Sequence, residues 1–335
     1  MKYQFIVNPK ARSGRGARVW EDLKQILEND GIDFEARCTE YAGQAEEFAA
    51  EMTADGEEHL IVALGGDGTV NEVINGILDC SKVVFGYIPT GSGNDFTRAL
   101  KIPTDPQKAW ESIRRRAQER KMDLGVIECG EKQYRFAVSA GIGFDAAVCH
   151  QVNRSKLKKI LNKVGLGKLT YLGVALNQMI REPICTSEIL IDGKQKKRFE
   201  RTFFAAVMNH PYEGGGFRFC PDARIDDGLL DVIVISGISK WKILFCLPTA
   251  FKGKHTKFRG IDLFQCREAA IHFEKAAPIH TDGETVEIEQ EMGAHLLPVQ
   301  IRVIVPQSVE EEFRGRSEKL LSFYEPPCCW YEIVL

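Results

Sequence analysis

His59-Leu60-Ile61-Val62-Ala63-Leu64-Gly65-Gly66-Asp67-Gly68-Thr69-Val70-Asn71-Glu72 is the stretch on which the fold turns. Its first part, His59–Leu64, is apolar throughout, the pattern of a strand covered on both faces. Its last part opens a helix predicted over Thr69–Leu78. The glycines between them let backbone approach an anion closely, and a helix start offers unpaired N–H groups to phosphate. Thr69 suits both a helix cap and a bond to a phosphate oxygen. Asp67 is the odd member. A carboxylate beside phosphate is repulsive unless a cation intervenes, so Asp67 points to Mg2+ or a water network around one. No Gly-Lys-Ser/Thr follows, which excludes a Walker loop.

Working outward, strands are predicted at Gln4–Asn8, Phe34–Thr39 and Val83–Ile88. Helices are predicted at Ala17–Asp30 and Ala42–Asp55, with another starting over Asn94–Leu100. This alternation gives an α/β domain with a parallel sheet, and such sheets bind ligands at the carboxyl ends of their strands. Two further loops fall at that end. Pro89-Thr90-Gly91-Ser92-Gly93-Asn94-Asp95-Phe96 offers the Ser92 hydroxyl and a second carboxylate, Asp95. Asn8-Pro9-Lys10-Ala11-Arg12-Ser13-Gly14-Arg15-Gly16 carries three cationic side chains. Together the three loops read as a nucleotide site.

From Lys121 onward the pattern changes to short strands. They fall at Asp123–Cys129, Gln133–Ala140, Glu188–Ile191, Arg198–Asn209, Leu229–Ser236, Leu263–Cys266, Ala269–Phe273, Pro278–Thr281, Thr285–Ile288 and Val299–Val305. Gly130-Glu131, Asp192-Gly193, Asp227-Gly228 and Asp282-Gly283 are the turn signals between them. A mainly antiparallel sandwich or barrel is expected, with helices from Val152–Arg181 and Lys240–Lys254. The expected organisation is an α/β nucleotide-binding domain over 1–125, a β-rich domain over 126–305 and a tail over 306–335.

The 335 residues carry a net charge of −3, so bulk charge draws the chain to neither nucleic acid nor anionic membrane. No uncharged apolar run approaches the ~20 residues of a membrane helix. The longest apolar candidate, Trp241–Phe251, is bracketed by Lys240, Lys242 and Lys252. The opening Met1–Val7 is too short for a signal peptide's apolar region. Ten scattered cysteines without Cys-x-x-Cys spacing read as reduced thiols, so a cytoplasmic protein without a zinc site is expected.

The combination Asn8-Pro9…Gly14, Gly65-Gly66-Asp67-Gly68-Thr69, Gly91-Ser92-Gly93-Asn94-Asp95-Phe96, Asp226-Asp227-Gly228 and Asp282-Gly283-Glu284 resembles the diacylglycerol kinase catalytic-domain family. It is most like the bacterial soluble lipid kinases, relatives of sphingosine and ceramide kinases, over residues 1 to about 305. Gly-Gly-Asp-Gly-Thr alone is shared with NAD kinases and phosphofructokinases; the later motifs decide. Two departures stand out: Arg12 replaces the family's usual glycine in the first loop, and Ser92-Gly93 stand where Thr-Thr is common.

The resemblance implies roles position by position. Asn8, Thr39, Gly65, Gly66, Asp67, Gly68, Thr69, Val70, Asn71 and Ser92 match nucleotide contacts. Asp227, with the backbone carbonyls of Arg224 and Leu229, matches a Mg2+ site. Asp67, Asp95 and Asp123 match a carboxylate network around the metal's waters. Glu284 matches the proton acceptor, and Asp282 is its catalytic neighbour. Read by themselves, Asp226-Asp227-Gly228 and Asp282-Gly283-Glu284 are hairpin turns. The implied reaction is transfer of the γ-phosphate of ATP, with Mg2+, to the hydroxyl of diacylglycerol or a related neutral lipid. Positioning, charge neutralisation and a carboxylate for the hydroxyl's proton are what such a transfer needs.

The lipid side is read from three places. Asn153–Thr170 interleaves six basic with six apolar residues, a pattern that fits an anionic membrane surface and equally a solvated face over a packed one. The glycines of His210-Pro211-Tyr212-Glu213-Gly214-Gly215-Gly216-Phe217 suggest a mobile loop that admits the lipid head. Lys194–Arg198 reads as a solvated hairpin turn, and His255 and His280 as structural histidines. The expected partner is a lipid at the inner membrane face, contacted peripherally, with no nucleic acid and a homodimer left open. Two alternatives remain: a kinase of a soluble acceptor, NAD kinase-like, and a binding protein that kept the fold and lost catalysis.

Overall fold

The computed structural model describes residues 2–91, 93–154 and 184–307. Two sheets organise them. The first has six strands in the order β2-β1-β3-β4-β15-β5. It is built from β1 (Tyr3–Val7), α1 (Ala11–Asn29), β2 (Phe34–Cys38), α2 (Gln44–Met52), β3 (His59–Gly65), α3 (Asp67–Gly76), β4 (Val83–Pro89), α4 (Asp95–Leu100), α5 (Pro106–Arg114) and β5 (Gln118–Met122). β1 to β4 pair in parallel. All seven residues of β3 and of β4 are buried, because helices cover both faces of the sheet's centre. Each fully buried Leu, Ile or Val there contributes roughly 1.5–3 kcal/mol relative to exposure.

α1 begins at Ala11, but Arg12, Ser13 and Gly14 have left-handed backbone, so regular helix starts after them and the expected first loop stands. α5 was not expected. Asp105 caps it by accepting the Lys108 N–H at 3.0 Å, and Pro106 opens it.

The second sheet has nine strands and is antiparallel throughout. It contains β6 (Gly125–Cys129), β7 (Lys132–Phe136), β8 (Ser139–Gly143), β9 (Cys185–Ile191), β10 (Gln195–Met208), β11 (Leu230–Ser236), β12 (Ile261–Cys266), β13 (Glu268–Thr281) and β14 (Glu284–Leu296). α6 (Phe144–Arg154) follows β8, and α7 (Lys240–Ala250) lies between β11 and β12. The apolar faces of the strands enclose a second core around Phe136, Val207, Phe273 and Met292.

Three expectations are corrected. β15 (Ile301–Val305) pairs in parallel with β4 and antiparallel with β5, so the chain's last described strand belongs to the first sheet, not the second. The first sheet is therefore mixed at one edge. The single strand expected over Gln133–Ala140 is two strands, broken at Ala137–Val138 because those N–H groups turn to the Asp282 carboxylate. The expected pair Ala269–Phe273 and Pro278–Thr281 is one bulged strand, β13. Asp192-Gly193 and Asp282-Gly283 are hairpin turns, with left-handed backbone at all four residues. Most of Val152–Arg181 and nearly all of the tail lie outside the described residues. No described helix is long and apolar enough to cross a membrane.

Candidate active site

The loops after β1, β2, β3 and β4 meet at one end of the first sheet. The Thr39 N–H donates to the Val7 carbonyl at 2.8 Å, and the Asn8 N–H to the Leu64 carbonyl at 2.8 Å. Asn8 reaches further: its Nδ2 donates to Thr69 Oγ1 at 3.2 Å. Lys10 Nζ donates to the Glu40 carbonyl at 2.5 Å. The Gly65 carbonyl accepts from Thr90 N–H at 2.7 Å, Gly91 N–H at 3.1 Å and the Tyr87 hydroxyl at 3.1 Å. A Cβ on Gly91 would stand 2.7 Å from Gly66 Cα, so the second and third glycine loops touch backbone to backbone.

α3 starts in this corner with Gly66 as its cap; the N–H groups of Thr69 and Val70 bond back to the Gly66 carbonyl. The Val70 side chain belongs to the core. Asp67 faces inward. One oxygen accepts the Asp95 N–H at 3.3 Å. The other, Oδ1, is buried without a hydrogen-bond partner among the described residues. Burial, then the neighbouring Asp95 charge, pushes the Asp67 carboxyl up to about 7. Ser92 lies outside the described residues.

Asp282 and Glu284 arrive from the second sheet. Asp282 Oδ1 accepts the N–H groups of Val138 at 2.7 Å and Ser139 at 3.1 Å. Its Oδ2 accepts the Ala137 N–H at 2.9 Å and the Asn71 amide at 3.0 Å. Burial raises this carboxyl against those donors. Three of these bonds hold the β13–β14 turn to the break between β7 and β8 and the fourth holds it to α3, so Asn71 and Asp282 position the site rather than face its opening. Glu284, one residue past the turn, extends over the nucleotide loop: a Cβ on Gly68 would sit 3.0 Å from Glu284 Oε1. Glycine at 68 leaves room for that carboxylate.

Asp95 and Asp123 are occupied otherwise. Asp95 pairs with Arg98 and accepts the Gly215 N–H at 2.7 Å, which ties down the glycine loop that Glu213 and Phe217 close by mutual backbone bonds. Asp123 accepts the Gly228 N–H at 2.9 Å and the Gln300 amide at 2.8 Å. It anchors the turn that carries Arg224, Asp227 and Leu229. Asp227 is exposed, and one of its oxygens accepts the Leu229 N–H at 3.1 Å. Its neighbour Asp226 is committed to Arg120 and Arg224.

One cluster was not foreseen. His280, fully buried, faces Asp145 at 3.2 Å and Glu213 at 3.1 Å through Nε2. Three donor atoms within 4.8 Å of one another have the form of a cation site. The imidazole argues otherwise. Its Nδ1 lies 3.2 Å from the Gly283 N–H and accepts from it, so Nε2 carries the proton and donates to the carboxylates. Burial raises the Glu213 carboxyl, and against its own burial the imidazole is raised by Glu213 and Asp145. No spacing in the sequence marks this cluster, because Asp145 is 135 positions from His280. His255, by contrast, bonds the Phe219 carbonyl at 3.0 Å, its one partner among the described residues, as a structural histidine does.

Residues 2–127 match the diacylglycerol kinase catalytic domain, and residues 137–305 match the YegS C-terminal NAD kinase β-sandwich-like domain. A Xanthomonas campestris protein named "Probable lipid kinase YegS-like" is 34% identical over 247 residues, 71% of this chain and 74% of that protein. The diacylglycerol kinase of Mycobacterium tuberculosis is 27% identical over 310 residues, 91% of this chain and 96% of the relative. Among solved structures, a diacylglycerol kinase from Bacillus anthracis superimposes with a TM-score of 0.65, covering 92% of this chain and 98% of that one. At 22% identity it speaks for the fold.

Proposed function

The chain belongs to the family of the diacylglycerol kinase catalytic domain, and on that premise we propose that it transfers the γ-phosphate of ATP to the hydroxyl of diacylglycerol or a related neutral lipid alcohol. One observation carries the reading: the Glu284 carboxylate stands over Gly68 at the start of α3. That brings a proton acceptor to the place where the phosphate end of a nucleotide meets a helix N-terminus. In this reading residues 1–125 with β15 hold the nucleotide, and residues 126–300 carry the lipid side.

The acceptor's hydroxyl oxygen attacks the γ-phosphorus, Glu284 takes its proton, and ADP leaves. Such a positioned base contributes about 10²–10⁴-fold. Asp282 and Asn71 fix the turn that aims Glu284. Asn8, Thr39 and the Gly65–Thr69 loop line the nucleotide's side.

A divalent cation fits the residues present. Asp67 Oδ1 is a buried carboxylate oxygen without a partner among the described residues, the condition a cation or its water relieves. Asp227 with the carbonyls of Arg224 and Leu229 would offer the all-oxygen set that suits Mg2+, and Asp67 would hold one of its waters. When bound, Mg2+ supplies neutralisation of the charge on the transferring phosphoryl group. Asp123 serves the same turn indirectly, through Gly228.

Labelled ATP and a panel of lipid alcohols, read by mass spectrometry of the product, test this. A lipid phosphate should form with the wild type and fall at least ~100-fold with Glu284→Gln. Undiminished activity in that variant would remove Glu284 from its role. Phosphorylation of NAD with no lipid present would instead favour a soluble acceptor.

A further inference from the structure

Four of the ten exposed large apolar side chains among the described residues fall within one short stretch. They are Trp241 (73% exposed), Phe245 (81%), Phe251 (54%) and Phe258 (37%). Trp241 and Phe245 are four apart on α7 and therefore share a face. The opposite side of the same helix is already satisfied, with Ile243, Cys246 and Ala250 buried against the sheet. α7 thus has a second apolar face that the described residues leave exposed.

The charge around this face has one sign. From Gly237 to Ile261 the chain has six basic residues, namely Lys240, Lys242, Lys252, Lys254, Lys257 and Arg259, and no acidic one, although the whole chain is net negative. All but Lys240 are exposed. A basic rim would repel a second copy laid face to face and attracts an anionic surface. Aromatic side chains flanked by Lys and Arg are the composition of a surface that sits at the headgroup level of a bilayer.

The patch is continuous with the candidate active site. The Phe251 ring stacks on Phe217, centroids 4.2 Å apart. Phe217 closes the loop with Glu213, and Gly215 within that loop donates to Asp95 beside the nucleotide loop. The Arg218 N–H, next along, donates to the Ala250 carbonyl at the end of α7. A lipid surface under α7 would therefore lie beside the loop that borders the site.

We propose that α7 and the turn after it, through Trp241, Phe245, Phe251 and Phe258 and their basic rim, dock this protein on an anionic phospholipid bilayer. The inference rests on the lipid-kinase reading for its purpose but not for its test. Each basic residue near an anionic surface strengthens binding by roughly fivefold, and the aromatics add the apolar part.

The test uses the full chain and sedimentation with vesicles of phosphatidylcholine, alone or mixed two to one with phosphatidylglycerol, without nucleotide or lipid substrate. Binding is expected to the mixed vesicles, weakened by salt, with a blue shift in Trp emission that is lost in Trp241→Phe. The pair Trp241→Ser with Phe245→Ser should lower vesicle affinity at least ~10-fold. Lys242→Glu with Lys252→Glu should remove the preference for anionic lipid. Melting temperatures near wild type confirm that these exposed positions leave the fold intact.

Wild-type affinity in the Trp241/Phe245 pair, or no vesicle binding by the wild type, overturns the proposal. So does a solution dimer that the same pair dissociates, since the face would then belong to a second copy. Phosphorylation of a water-dispersed short-chain diacylglycerol separates the two readings. Equal rates in wild type and variants leave docking as the only loss. Absence of phosphorylation in both overturns the kinase reading while vesicle binding stands.

Discussion

The Asn71 amide donates to Asp282 Oδ2 at 3.0 Å, joining residues 211 positions apart. This bond links the helix that starts at the nucleotide loop to the turn that aims Glu284. Asp282 accepts two donors on each oxygen, so an amide in its place must turn its NH2 toward two of them. Asp282→Asn should therefore cost about 2–4 kcal/mol in urea unfolding and abolish turnover. Combined with Asn71→Ala in a double-mutant cycle, a coupling of about 1–3 kcal/mol is expected. Additive effects within error would sever the link.

Gly68 separates stability from catalysis. Its backbone has no left-handed angle, so alanine is conformationally tolerated there, and Gly→Ala in a helix stabilises by about 0.5–1 kcal/mol. The added methyl stands 3.0 Å from Glu284 Oε1, however, and the carboxylate must give way. Gly68→Ala should melt at or slightly above wild type while kcat falls at least ~10-fold. A variant that is both stable and fully active would show that Glu284 does not work from this position.

How much of this was legible follows from what each signal depends on. β3 and its loop announced themselves because burial on both faces writes an unbroken apolar run. α5 carried a readable start, Asp105 before Pro106, that the charged residues after it obscured. β5, Gln-Glu-Arg-Lys-Met, has almost no apolar face; it is a strand because β15 pairs with it, and ion pairs such as Arg302 to Glu119 line the edge. The return of β15 to the first sheet could not be read from Ile301–Val305, since alternation tells which faces are buried and not which sheet is joined. The break between β7 and β8 depends on Asp282, far downstream. The motifs themselves were legible; that Asp282 braces while Glu284 projects, and that His280 sits behind both, required the fold.

His280 holds three elements at once, taking the Gly283 N–H and giving its own proton to Asp145 and Glu213. His280→Ala removes the donor that separates two buried carboxylates. Against burial, which lowers it, Glu213 and Asp145 raise the His280 imidazole well above its ordinary value. The stability this contributes is present below the unfolded imidazole value and is lost as pH rises through the folded one. The variant should therefore lie about 2–4 kcal/mol below wild type near pH 5, with the gap narrowing toward pH 8. Thermal melts across that range check it; a constant difference would place the proton elsewhere.

Asp67 gives the sharpest pH signature. Its carboxyl is pushed up to about 7, chiefly by burial and then by Asp95, against about 3.9 in an unfolded chain. Below about pH 4 both states hold the proton. Between there and pH 7 only the folded state does, so stability falls as pH rises, and the loss is complete above the folded value. Three units correspond to roughly 4 kcal/mol. Other raised carboxyls, Asp95 and Asp282 among them, add slopes of the same sign, so the informative quantity is the difference between wild type and Asp67→Asn. That variant carries no charge to bury. It should match wild type near pH 4, already exceed it by pH 5, exceed it by a few kcal/mol at pH 8, and be inactive throughout. Parallel curves in chemical denaturation from pH 4 to 8 would show that Asp67 is ionised in the fold, with its second oxygen satisfied by a partner such as an ordered water.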